Sequence, residues 1–291
     1  MTKQAILIMA HFEFSILEKL LKLLDDSRFD IYLHIDSKVK KFDFSYYQKL
    51  VNKSNLYFTK RLNVKWGTYS QIECELTLLK SAIKNNYKYY HLISGVDLPI
   101  KSNSTIYDFF DKENHEFVGF SQNDCLERIK YYHLFLNKIK TSEFMNKLEF
   151  HLVKLQEKIK VNRIKKDKII YKKGCNWFSI TNDLAKYVIS QEKFIKNKFK
   201  YSKCADEMFL QTLVYNSSFK DKVYKKYQDE HQNVKRLIDW ERGEPYTYSD
   251  NDYQDIINSN CFFVRKVSTN KKEQSDLVDK IYEYVRNLNE S

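Results

Sequence analysis

An α/β fold on a mostly parallel central sheet flanked by helices is predicted by three features of this chain. Over the first 120 residues, short β-like runs alternate with helical patterns, the order that right-handed βαβ units produce. The 291 residues are 43% hydrophobic and 15% aromatic, enough to bury a large core in one α/β domain or two smaller ones. No repeat, low-complexity linker or sharp boundary divides the chain, so a single domain over 1–291 is expected.

The alternation reads AILIMAH then SILEKLLKLLDD; DIYLHID then a polar stretch with FSYYQKLV; NLYFT then YSQIECELTLLKSAIKNN; YYHLISG then NSTIYDFFDKE. Ligands of such sheets sit at the carboxyl ends of the strands. Those ends are His11, the stretch from His34 to Lys38, the Val64–Thr68 loop, and Ser94 to Asp97. From about Glu127 to Lys168 the pattern is a basic amphipathic helix with Tyr132, Phe135, Leu136, Ile139, Leu148, Leu152, Leu155 and Ile159 at helical spacing. NWFSIT and SNCFFVRKV read as short strands, and a polar helix closes the chain.

The net charge of +12 is concentrated. Between Arg128 and Lys173, 14 Lys or Arg face 4 acids, so an anionic partner is expected there: an anionic membrane surface, a phosphorylated substrate or nucleic acid. No apolar run approaches the roughly 20 residues of a membrane span, and the N-terminus reads as a first strand instead of a signal peptide. The five cysteines are spread without CxxC or ligand spacing, so disulfide and zinc readings are poor and a reducing cytoplasm fits.

There is no GxxxxGK[ST] or GxGxxG, so a phosphate would need side chains: Lys172 and Lys173, Arg236, or Arg265 and Lys266. Asp36 ends an apolar strand where a carboxylate can accept from a ribose or base, or cap a turn. Asp97, before the rigid Leu98-Pro99 pair, suits a structural hydrogen bond or a substrate contact. Asp250-Asn-Asp252 is a weak DxD pattern. In KCADEMFLQTLVYNS, Asp206 reads as the N-cap of a helix burying Met208, Phe209, Leu213 and Val214. Glu207, in its first turn, is either favoured there by the helix dipole or a catalytic base.

In order, AILIMAH, IYLHIDSK, VKWGTYSQIECELTLLKSAI, YYHLISGVDLPIKS, KGCNWFSIT, ADEMFLQTLVYNS, RLIDW and NSNCFFVRKV resemble the core-2/I-branching N-acetylglucosaminyltransferase family, glycosyltransferase family 14, in its shorter bacterial form. The resemblance runs from about Ala5 to Val267. It implies a GT-A-like nucleotide-sugar-binding fold with a nucleotide-binding half at 1–125, a basic helical insertion at 126–173 and an acceptor and catalytic half at 174–291. It also implies inverting transfer of a sugar, with N-acetylglucosamine first among the candidates, from a UDP-sugar to a hydroxyl of a cell-surface or lipid-linked glycan. No cofactor or DxD metal is expected, because basic side chains replace the cation: Arg236 and Lys266 match, with Lys173 a third. His11 and Asp36 match the family's uridine-binding strand ends, and Trp66 falls where an aromatic residue lines the nucleotide site. Glu207 matches the catalytic base, in a proline-Asp-Glu motif whose proline is Ala205 here, and Asp206 keeps its cap. Asp97, Trp177, Asp206 and Trp240 are weaker candidates for contact with sugar or acceptor.

Such acceptors are assembled at the inner face of the membrane, so residues 128–173 read as a peripheral anchor of a cytoplasmic enzyme. A non-catalytic nucleic-acid-binding protein is the alternative from another class, disfavoured by the lack of an RRM, zinc or helix-turn-helix signature. A transferase using metal at Asp250 and Asp252 is the other alternative.

Overall fold

The computed structural model describes residues 2–138 and 142–291. In chain order its elements are β1 (Gln4–Ala10), α1 (Phe14–Leu23), β2 (Phe29–Ile35), α2 (Phe44–Gln48), β3 (Asn55–Phe58), α3 (Tyr69–Ala82), β4 (Tyr89–Ser94), β5 (Leu98–Pro99), α4 (Asn103–Lys112), β6 (Phe117–Val118) and α5 (Glu127–Lys130). They continue with α6 (Glu143–Lys158), β7 (Phe178–Thr181), α7 (Asn182–Ser190), α8 (Glu192–Phe199), α9 (Phe209–Tyr215), α10 (Glu230–Asn233), β8 (Arg236–Ile238), α11 (Tyr253–Asn258), β9 (Phe263–Arg265) and α12 (Lys272–Glu290).

The first βαβ units build the centre of a sheet of order β3-β2-β1-β4-β7-β6. β3, β2, β1 and β4 run parallel, with Ile6 opposite both Ile31 and His91, while β7 is antiparallel to β4 and β6 to β7. β2 and β4 are buried along their length because helices cover both faces of the sheet. Alternation sorts β1 accordingly: Ile6 and Ile8 pack with Leu17 and Leu20 of α1 and Ile281 of α12, whereas Ala5 and Leu7 pack with Leu76 and Leu79 of α3 and Leu184 of α7. A second sheet, β5-β9-β8, pairs β9 antiparallel to β5 and parallel to β8, with Ile238 opposite Arg265.

Because β2 and β4 flank β1 on opposite sides, the chain winds in both directions from it. The crevice at such a reversal opens at the carboxyl ends of β1 and β4, where His11 and Ser94 lie.

Two expectations need correction. The basic stretch is not one amphipathic helix. It holds the single turn α5, a turn at Leu136–Lys138, then α6, and 159–173 is not helical. Glu149 and Gln156 of α6 hold the loop alongside the helix: Glu149 accepts from the Phe135 N–H at 2.9 Å, and Gln156 accepts from the Tyr132 N–H at 2.8 Å. Ile139 lies outside the described residues. Asp206 is not an N-cap either. Residues 205–207 form a separate 3-10 turn with no side-chain cap, Cys204 before it sits at φ 47, and α9 begins only at Phe209.

Candidate active site

The loop after β3 carries Trp66, and its shape is set by polar contacts to the ends of the central strands. Asp36, buried just past β2, accepts from the N–H of Lys38 at 2.8 Å and of Val64 at 3.1 Å. Lys38 returns its ammonium to the Val64 carbonyl at 2.6 Å, and His34 accepts from the Leu62 N–H at 2.9 Å. Gly67 has φ +73, a left-handed turn that glycine adopts without strain, and its carbonyl accepts from the Cys204 N–H at 2.9 Å. The Trp66 loop is thereby fastened to the turn that bears Asp206 and Glu207.

Against this loop lies a cleft of about 480 Å³ at the strand ends, lined by His11, Asp36, Trp66, Asp206, Glu207 and Arg265 among others. A larger cleft of about 830 Å³ adjoins it, walled by Arg128, His133, Lys154, Lys173, Glu230 and His231 among others. Trp66, Asn176, Trp177, Glu207 and Trp240 line both. Glu207 is the carboxylate on the common wall.

Two cations flank it: Arg128 Nη1 at 2.5 Å and Lys173 Nζ at 3.6 Å. Lys173 is brought there by backbone packing, since the Gly174 N–H donates to the Glu207 carbonyl at 2.9 Å and the Ser121 N–H to the Lys173 carbonyl at 2.8 Å. Gly174 tolerates no side chain, because a Cβ would stand 1.9 Å from the Gly119 carbonyl oxygen.

Beside Glu207, the buried Asp206 carboxyl accepts from Gln71 Nε2 at 2.7 Å, and its other oxygen has no protein partner. Burial first, then the neighbouring Glu207 charge, pushes its pKa up to about 7. One turn along α3 from Gln71, Glu75 is fully buried and pushed well above the carboxylate range by burial and then by Asp206. His11, at the other side of the smaller cleft, is lowered chiefly by desolvation, which its Asp36 neighbour opposes.

The cations expected to meet a diphosphate sort differently from the expectation. Arg236 is wholly buried and does not reach the cleft. Its guanidinium donates to the carbonyls of Val234 at 2.7 Å, Phe178 at 3.1 Å and Leu92 at 3.2 Å, tying β8 to β4 and β7. Lys266 is half-buried and lines neither cleft. The arginine in the cleft is Arg265, fixed over the Trp177 ring at 4.3 Å and by Asp97 at 2.8 Å. Asp97 itself is fully buried and outside the cleft; its second oxygen takes the Ser94 N–H at 2.8 Å, so its part is to aim Arg265. Trp240 stands half-exposed at the junction and donates Nε1–H to His231 at 3.2 Å.

The structure thus gathers His11, Asp36, Trp66, Trp177, Asp206, Glu207, Trp240 and Lys173 about two joined clefts and leaves Arg236, Lys266 and Asp97 outside them. Sequence reasoning missed Arg128 and Gln71. Arg128 is one cation in a basic run, with nothing local to mark it, whereas Gln71 and Glu75 are polar residues four apart in a helix that also buries Ile72 and Leu79, a signal that was available. Asp250 pairs with Lys280 and Asp252 with Arg242 and the Ser249 N–H, and neither lines a cleft. Among the described residues no group of three or more His, Cys, Asp or Glu could hold a metal ion, and no helix is long and apolar enough to cross a membrane.

The mostly parallel sheet with helices on both faces, and the joined clefts at the carboxyl ends of its strands, are those of a ligand-binding α/β protein. The chain belongs to the Core-2/I-branching enzyme family, whose sequence pattern matches residues 5–260. Solved structures similar to it include the apo form of the glycosyltransferase GlyE of Streptococcus pneumoniae TIGR4, at 9% identity and TM-score 0.43 over 98% of this chain and 62% of that one. A second GlyE structure gives 11% identity and TM-score 0.42, over 98% and 63%. The apo bifunctional glycosyltransferase WbbM gives 11% identity and TM-score 0.43, over 100% of this chain and 52% of that one. The chain therefore spans between about half and two-thirds of those proteins. No curated protein matches it significantly.

Proposed function

We propose that this chain is an inverting, metal-independent glycosyltransferase that moves a sugar, with N-acetylglucosamine first among the candidates, from a UDP-sugar to a hydroxyl of a cell-surface glycan. The observation that carries the reading is the place of Glu207 on the wall shared by two clefts. The smaller cleft takes the donor: Trp66 offers a ring face, and Arg265, clamped by Asp97, presents a fixed guanidinium fork to a diphosphate. Arg265 thereby takes the charge-neutralising part expected of Arg236, with Lys173 at the junction. The larger cleft takes the acceptor, where Trp240 and Trp66 present exposed rings to a sugar's C–H face.

The acceptor hydroxyl then meets the anomeric carbon beside Glu207. Glu207 takes the hydroxyl proton as the new C–O bond forms, and the bond to the diphosphate breaks with its electron pair leaving on UDP. For this the carboxylate exchanges its Arg128 contact for the acceptor. Attack from the acceptor side, opposite the departing UDP, inverts the anomeric centre. Fixed cations meet the charge that develops on the leaving group.

The test is UDP release from a panel of UDP-sugars, with and without EDTA, by the wild type and Glu207→Gln. Release from one donor, unchanged by EDTA and about 10²- to 10⁴-fold slower in the variant, is expected. Loss of turnover in EDTA would overturn metal independence, and no release together with no UDP binding in calorimetry would overturn the donor assignment.

A further inference from the structure

The helix α6 is built inside out for a globular protein. Its one buried residue is a glutamate, Glu149, while Phe144 is 72% exposed, Phe150 59% and Leu155 52%, with Ile159 just past its end at 63%. α6 itself gives no residue to the hydrophobic core and is held by polar contacts, while Ile129, Ile164 and Tyr171 to either side of it pack the excursion on the core. Glu149 takes His133 Nδ1 and the Phe135 N–H, each at 2.9 Å. Arg163 donates to the carbonyls of Tyr131 at 3.1 Å and Lys198 at 2.9 Å. These contacts fix which side of α6 faces outward.

At about 100° per residue, Phe144, Lys147, His151, Lys154, Leu155 and Lys158 fall on one strip of the helix. All six are exposed. Lys147 and Lys154 pair with Glu143 and Glu157 on the helix surface, contacts of little net strength in water. Among the described residues, Lys158 and the exposed Lys160, Lys165, Lys166 and Lys168 have no carboxylate partner. From Ser142 to Lys173 ten Lys or Arg stand against four acids. Apolar side chains interleaved with lysines suit an anionic lipid surface, where the rings enter the headgroup boundary and the ammonium groups meet the lipid phosphates.

We infer that the outward strip of α6, with the lysines that follow it, docks this protein on an anionic bilayer. The inner flank of the same helix supplies Val153 and Glu157 to the wall of the larger cleft, and Lys154, at the edge of the outward strip, reaches it too. Docking would therefore hold that cleft beside the lipid surface, where a lipid-linked acceptor presents its glycan. The docking surface stands on the surface chemistry alone; only its service to an acceptor rests on the glycosyltransferase reading.

The experiment is co-sedimentation of the purified chain with vesicles of phosphatidylcholine, alone or mixed with phosphatidylglycerol, across a salt series. Variants are Lys147→Gln/Lys158→Gln/Lys165→Gln and Phe144→Ser/Leu155→Ser, each checked for fold by circular dichroism and for UDP release from a soluble donor. Binding to the mixed vesicles that fades with salt, and that weakens roughly 100-fold when the three charges are removed, is the expected result, with loss in the apolar variant too. UDP release should stay at the wild-type level in both, so failure of docking and failure of the transfer reading are separable. No binding of the wild type at low salt, or equal binding to both vesicle types, would overturn the inference. So would a concentration-dependent dimer that the Phe144→Ser/Leu155→Ser variant abolishes, which would give the face to a second copy.

Discussion

Replacing Arg236 by methionine separates the architecture seen here from the diphosphate role that the sequence resemblance implies for it. Its guanidinium is fully buried, pushed down to about 10 by desolvation and so still charged at neutral pH, and it serves the carbonyls of Val234, Leu92 and Phe178. Methionine fills similar space but donates nothing. Three buried acceptors each lose one partner at roughly 1 kcal/mol, and relief of the guanidinium's desolvation offsets part of that. A net loss of about 2 kcal/mol lowers Tm by about 4–8 °C at the 2–4 °C per kcal/mol usual for larger domains. Scanning calorimetry reads the shift, and titration with UDP below Tm reads the site. Unchanged Tm with UDP binding lost would refute the reasoning, because it would mean that Arg236 faces the ligand.

The remaining predictions concern the cleft. Asp206 is raised from 3.8 to about 7, so the folded state holds a proton that the unfolded state has released. Stability attributable to Asp206 is therefore fully present below about pH 4, falls as pH rises to 7 by on the order of 4 kcal/mol, and is flat above; denaturant titrations of Asp206→Asn should lack that fall. The pH profile of kcat/KM should carry an inflection near 7 in the wild type that the same variant loses. In Gly174→Ala the new Cβ meets the Gly119 carbonyl oxygen. We expect a lower Tm and reduced turnover from displacement of Lys173, and an unchanged Tm would show that the close approach is not obligatory.

The order of strands and helices was legible because burial on both faces writes apolar runs, and helices between them write a different period. Glu207, Asp36, His11 and Trp66 were found by motif, and each lines a cleft. What the chain by itself determined was this alternation, the concentration of positive charge and the residues that end the central strands. Only the tertiary structure decided which of several cations meets the site, because β8 and β9 each carry one arginine and the long-range pairing of β5, β9 and β8 buries Arg236 while turning Arg265 over Trp177. It likewise decided that α6 faces its phenylalanines outward, since a helical period marks an apolar side without saying whether anything stands ready to cover it.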